Sequence, residues 1–295
     1  MFTHNKAFQV GANFIMILLS LTCILPFILL ISASITNESS LLMNGYAFFP
    51  QEISWDAYKF LLYDSSSIVR GYGITIFVTA VGTTANLLLT ILLAYPLSRP
   101  DLPGKNTFSF LVYFTMLFNG GLVPSYIMWT QAFHIKNTIW ALIVPSLMLN
   151  AFYVIMMRTY FTSNIPNEII EAARIDSAGE MRILFTVVLP MSLPMIATLC
   201  LMVGLGYWNN WTNGLYYLTD SSLFSIQNIL NRMLQDAQFL ASGMAGEAAA
   251  ELAAQLPTTG IRMGVAVLGA LPIMLIYPFF QKYFVKGITI GAVKG

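Results

Sequence analysis

Between Arg158 and Arg182 the chain gathers four acids (Glu168, Glu171, Asp176, Glu180) and three arginines (Arg158, Arg174, Arg182). No histidine or cysteine stands among them. Acids and arginines mixed on one short helix suit recognition of a partner. Ile169, Ala172, Ala173 and Asp176 follow i, i+3, i+4, i+7 spacing and share one face. The two alanines keep that face shallow enough to seat in a groove, and Glu171 and Arg174 project beside it, where they could pair with partner charges. Pro166 fits a first helical turn, with Ser163 or Asn164 as caps. Glu168 then lies at the positive end of the helix dipole. Ser177-Ala178-Gly179 permits a bend before Val187-Val188-Leu189-Pro190. A helix lying on a membrane surface has the same pattern, so spacing alone leaves both readings open.

The elements that must position this patch are apolar. Hydrophobic residues make up 57% of the 295-residue chain and charged residues only 9%, against about 25% charged in a soluble domain. Mean hydropathy is +0.71. Six runs, 12–35, 72–97, 107–130, 138–158, 183–207 and 262–281, reach the length of about 20 residues that spans a bilayer. The expectation is an all-α membrane protein of six transmembrane helices forming a single domain, 1–295. The first run is longer than a signal-peptide core and is read as an uncleaved anchor. Cys23 and Cys200 lie in apolar runs without CxxC spacing, which implies no disulfide framework. With the N-terminus inside, nine of the 14 Lys and Arg residues fall on the cytoplasmic side, as the positive-inside bias requires. Both termini and loop 159–182 are then cytoplasmic, and loops 36–71 and 208–261 external. An Ala-rich stretch, about 236–255, is read as a surface helix ended by Pro257.

Charge is missing from the runs themselves except at their edges, and nothing between Arg182 and Asp220 is charged. Buried ionisable groups are the usual carriers of proton coupling in membranes, so proton coupling is not expected. Sodium held by carbonyls and hydroxyls stays open. No GxxxxGK[ST] phosphate loop is present. The chain therefore has no catalytic, cofactor or metal site of its own, and energy must enter through a partner, with the charged loop as its socket. Formal net charge is +1, which gives no reason to expect nucleic acid.

Glu171-Ala172-Ala173, Ser177 and Val187-x-Leu189-Pro190 resemble the EAA loop of permease subunits of ABC importers, written EAA-x3-G-x9-I-x-LP. Serine stands here for the glycine and valine for the isoleucine. Ala94-Tyr95-Pro96-Leu97-Ser98-Arg99, Ile175-Asp176, Trp208-Asn209 and the terminal Gly287-Ile288-Thr289 to Val293-Lys294-Gly295 are similar to the maltose-transporter type. Phe118-Asn119-Gly120-Gly121-Leu122-Val123-Pro124 and Tyr277-Pro278-Phe279-Phe280-Gln281-Lys282 resemble the branch associated with complex polysaccharide uptake. The resemblance implies the type I importer permease fold in a bacterial inner membrane. It also implies a second permease, expected to be a different chain, an ATPase dimer that binds ATP and magnesium, and an external sugar-binding protein. Glu171, Ala172, Ala173, Arg174, Asp176, Ser177, Gly179, Leu189 and Pro190 would couple to the ATPase. Lys294-Gly295 would reach between the ATPase domains, or be a basic end held by anionic lipid.

For a sugar, Trp208, Asn209, Asn210 and Trp211 combine aromatic faces with neutral amides, although aromatic belts mark every membrane surface. Thr79, Thr83, Asn86 and Thr90 form a polar stripe that serves helix packing or lines a path. Asn119 beside Gly120-Gly121, and Asn150 near Tyr153, are further path candidates. A permease for a peptide or osmolyte, and an ion-coupled carrier acting alone, remain the other readings.

Overall fold

The computed structural model describes residues 6–63, 65–241 and 258–292, with the side chains of 8–63, 65–239 and 258–279. Among these the chain is helical, with one isolated bridge between Thr36 and Ile53. The helices are α1 (Lys6–Ser34), α2 (Glu38–Asn44), α3 (Asp56–Leu61), α4 (Ser65–Ser98), α5 (Lys105–Leu117), α6 (Leu122–Ile127), α7 (Trp140–Ile143), α8 (Ala151–Asn164), α9 (Asn167–Ile175), α10 (Glu180–Ile183), α11 (Leu189–Met191), α12 (Leu193–Trp208), α13 (Thr212–Tyr217), α14 (Ile226–Ala241) and α15 (Thr258–Ala292). Within the expected surface helix 236–255, α14 carries the described part and residues 242–257 lie outside it.

Among the described residues three helices are unbroken and apolar enough to cross a membrane: Phe8–Ser34, Ser65–Ser98 and Thr258–Phe279. Two more candidates are bent pairs, Lys105–Leu117 with Leu122–Ala132 at 110° and Glu180–Met191 with Leu193–Trp208 at 83°. Each bend has a local cause. Gly121 sits at φ 85 and its N–H is taken by the Asn119 side chain at 2.9 Å. Pro190 and Pro194 flank Ser192 and remove two helical donors. The Ser192 hydroxyl turns back to the Val188 carbonyl at 2.7 Å.

The run 138–158, expected as one helix, is not continuous. α7 stops at Ile143, Ser146 takes φ 63, and Asn150 caps a fresh start through its bond to the Phe152 N–H at 2.9 Å. Irregular backbone at membrane depth needs protein partners, and they are present. The carbonyls of Ile143, Pro145 and Leu147 accept from Tyr207 at 2.9 Å, Asn213 at 2.9 Å and Asn86 at 2.6 Å.

The chain divides into two compact units, one running to Ile68 and including Ile229–Pro272, the other Val69–Asn228 with the segment from Ile273 on. In the first, Ala57, Leu61, Ala237 and Ile261 form a small core. There the Glu38 carboxylate accepts the Thr259 and Gly260 N–H groups at 2.9 and 3.0 Å, satisfying the orphan donors that start α15. In the second, α4, α8, α9 and α10 share a larger core that includes Tyr95, Phe161, Ile170, Ile183 and Leu184.

Candidate docking site and transport path

α9 begins after Pro166, which sits at the cap position in extended geometry without a side-chain cap. Ser163 and Asn164, the expected caps, are still inside α8, and the Asn164 amide donates to the Tyr160 carbonyl at 3.3 Å. The reason is Pro166 itself, which forces the preceding residue out of helical geometry. Ile165 is extended and buried at 4% exposure.

Ile170 anchors α9 in the core at 2% exposure, and Ala173 packs beside it. Ala173 therefore belongs to the inner side and not to the presented face. Glu168, Ile169, Glu171, Ala172, Ile175 and Asp176 face outward, with Ile175 at 83% exposure. Two apolar side chains and an alanine, rimmed by three carboxylates, make a surface suited to an apolar groove with basic edges.

The helix ends in a Schellman turn. The Ala178 N–H reaches the Ala173 carbonyl at 3.0 Å and the Ser177 N–H the Arg174 carbonyl at 2.9 Å. Ser177 carries the left-handed residue at φ 58. Gly179, expected to supply the bend, is ordinary extended backbone at φ −70, ψ 157. Beyond α10 the chain widens into a π-helix, Leu184–Val188, with Leu189 on the core and Pro190 exposed.

Arg174, expected to meet partner charges, is engaged within the chain although its side chain stays 38% exposed. Its Nε donates to Glu180 at 2.8 Å and an Nη to Asp101 at 2.9 Å. The Tyr95 hydroxyl donates to the other Glu180 oxygen at 2.6 Å, and the Arg99 guanidinium lies 4.9 Å from the Tyr95 ring centre. Arg158 donates to the Leu97 carbonyl at 3.1 Å, satisfying one of the last carbonyls of α4. Asp101 was not singled out from sequence, because its partner lies 73 positions away. Its own backbone N–H and the Arg174 guanidinium hold its carboxyl below the ordinary 3.8. A depressed carboxylate contributes above its ordinary value and loses that contribution as pH falls through the depressed one. The Asp101–Arg174 pair is therefore intact at neutral pH.

The path candidates are dispersed. Trp208 is buried at 5% exposure, 6.4 Å from the Tyr72 ring. It lines an apolar groove with Thr79, Thr83, Cys200 and Gly204. The hydroxyls of Thr79 and Thr83 are buried there without a partner among the described residues. Asn209 donates to the Leu205 carbonyl at 3.0 Å and Asn210 accepts from the Asn213 N–H at 3.0 Å. Trp211 is exposed, while Tyr153 packs on the core. Asn119 and Asn150 spend their side-chain carbonyls on the backbone turns described above. Tyr207 and Asn213, which carry the broken fourth run, were missed from sequence. The signal was there in Pro145, which has no N–H to continue the helical ladder. Lys294 and Gly295 lie outside the described residues.

Comparison with known proteins matches this geometry to a family. The model of the binding-protein-dependent transport system inner membrane component covers residues 2–290. The polygalacturonan/rhamnogalacturonan transport system permease protein YtcP of Bacillus subtilis is 36% identical over 293 residues, 99% of each chain. The arabinooligosaccharides transport system permease protein AraQ of Halalkalibacterium halodurans is 26% identical, over 92% of this chain and 91% of its own. Among solved structures, a chain of a bacterial ABC transporter involved in the import of the acidic polysaccharide alginate superposes with a TM-score of 0.77. Sequence identity there is 27%, and the match covers 96% of this chain and 99% of that one. The chain belongs to the binding-protein-dependent transport system inner membrane components, the permease subunits of ABC importers.

Proposed function

We propose that this chain is one permease half of an ATP-driven importer that moves a complex oligosaccharide delivered by an external binding protein across a bacterial inner membrane. It performs no covalent chemistry. A second permease, expected to be a different chain, completes the path, and ATP and magnesium are bound by a cytoplasmic ATPase dimer. The single observation that carries this reading is the outward face of α9, where Ile169, Ala172 and Ile175 stand among Glu168, Glu171 and Asp176 on a helix rooted in the core by Ile170. The substrate class is supported by the named relatives, whose names give polygalacturonan/rhamnogalacturonan and arabinooligosaccharides, and by the alginate importer.

Six crossings with both termini inside fit the contacts as well as the charge bias. Arg174 touches Asp101, which puts both on one side, and two crossings between them, one at the bent pair 105–132 and one at the discontinuous segment 140–164, meet that condition. Asn137 bonds Thr219, and the same condition is met there by 140–164 and by the bent pair 180–208. Glu38 bonds Thr259 across four crossings.

The test is Glu171→Lys in the assembled transporter. Reversing one rim charge of the docking face should abolish uptake and release the ATPase chains during gentle purification, with the permease still inserted. Normal uptake and an intact complex would overturn α9 as the docking element.

A further inference from the structure

We infer that Arg174 is a positioning residue for coupling: its guanidinium straps α9 to the inner end of α4, so that movement of the docking helix is carried to the second span. This rests on α9 being the docking helix, but it concerns the opposite face of that helix. Two routes leave the one guanidinium. The first runs directly to Asp101, in the turn that follows α4, at 2.9 Å. The second runs to Glu180 at 2.8 Å and from its other oxygen to the Tyr95 hydroxyl at 2.6 Å. Tyr95 is in the last turns of α4, buried at 5% exposure and edge-on to Phe161 of α8 at 6.4 Å. Both routes therefore end at the same place. The remaining inward contacts of α9 are apolar, through Ile170 and Ala173, and such packing is non-directional. The strap adds directional bonds to that packing and ties this side of the helix to the end of α4.

Stability does not explain the arrangement. Ion pairs this exposed add little to folding. What an arginine offers here is a planar fork reaching two carboxylates at once, which a lysine cannot copy. Two arginines, 99 and 174, face two carboxylates, 101 and 180, around one cleft, so the cluster is balanced and has no call for an external ion.

The experiment uses the full transporter in proteoliposomes and reads uptake per ATP hydrolysed. Arg174→Gln should keep the ATPase chains bound and hydrolysing while uptake per ATP falls roughly 5- to 10-fold, the lower part of the range for coupling between sites. Arg174→Lys should recover part of the loss, and Tyr95→Phe should show a smaller fall. An unchanged ratio in Arg174→Gln overturns the inference. So does a fall in uptake that merely tracks the amount of assembled complex. Loss of the ATPase from Arg174→Gln would also overturn it, by making Arg174 a docking contact. Failure of the docking reading itself would appear separately, as a Glu171→Lys transporter that remains whole and active.

Discussion

Ser177 occupies the one backbone position in the proposed docking segment that L-residues resist, with φ 58 at the heart of the Schellman turn. A left-handed residue bearing a Cβ costs roughly 1–2 kcal/mol. Ser177→Gly removes that cost and returns about 0.4–1 kcal/mol through the extra freedom of the unfolded chain. The expected net is a gain of about 0.5–1 kcal/mol, read as a small rise in the thermal midpoint of the purified complex, with uptake unchanged. Ser177→Val places a β-branched residue where it is a steric outlier, and should lower the midpoint. The bend was legible only as a segment, Ser177-Ala178-Gly179: the sequence pointed to Gly179 for it, whereas Ser177, at the position the motif reserves for glycine, carries it. The engagement of Arg174 within the chain was not legible. Helical spacing places Arg174 beside Glu171, and only the fold brings in Asp101 from 73 positions away.

At the scale of elements, the long apolar runs were readable and their breaks only partly so. Gly120-Gly121 announced the bend between α5 and α6, since an Asn-Gly-Gly run both permits a positive φ and supplies a capping oxygen. The break after α7 was hidden because hydropathy does not record where carbonyls go. It depends on donors far along the chain: Tyr207, which passes over Gly82 so closely that any Cβ there would overlap its ring, and Asn86 and Asn213. The polar stripe on α4 is thereby explained in part. Asn86 is fully buried, gives its amide to Leu147 and accepts Thr90 at 3.2 Å. Asn86→Leu strands the Leu147 carbonyl and the Thr90 hydroxyl, and a buried group left without its partner costs about 1–3 kcal/mol. The expected outcome is a clear drop in the thermal midpoint and in the amount of permease in the membrane. A midpoint matching the parent would mean that the Asn86 bonds add nothing net to holding the broken segment.

For the whole molecule, the positive-inside bias is a weaker guide than it looks. If 138–158 did not cross and the N-terminus lay outside, the same nine positive residues to five would still face inward, because Lys6, Lys59, Arg70, Arg99, Lys105 and Lys136 exchange sides in equal numbers. The contacts fit the proposed six crossings better than this alternative. The five-crossing arrangement puts Asp101 and Arg174 on opposite faces, against their 2.9 Å separation. Impermeant thiol labelling of intact cells tests this directly, in a chain whose Cys23 and Cys200 are replaced by alanine. Six crossings predict that Lys136→Cys reacts from outside, and that Asn106→Cys and Asn167→Cys react only once the membrane is opened. In the five-crossing alternative Asn106→Cys would label on intact cells and Lys136→Cys would not. Asn167→Cys is protected in both, so it reports that the membrane was intact. The pair at 106 and 136 then decides whether the discontinuous segment between α7 and α8 spans the bilayer, and with it whether the strap joins two elements on one face.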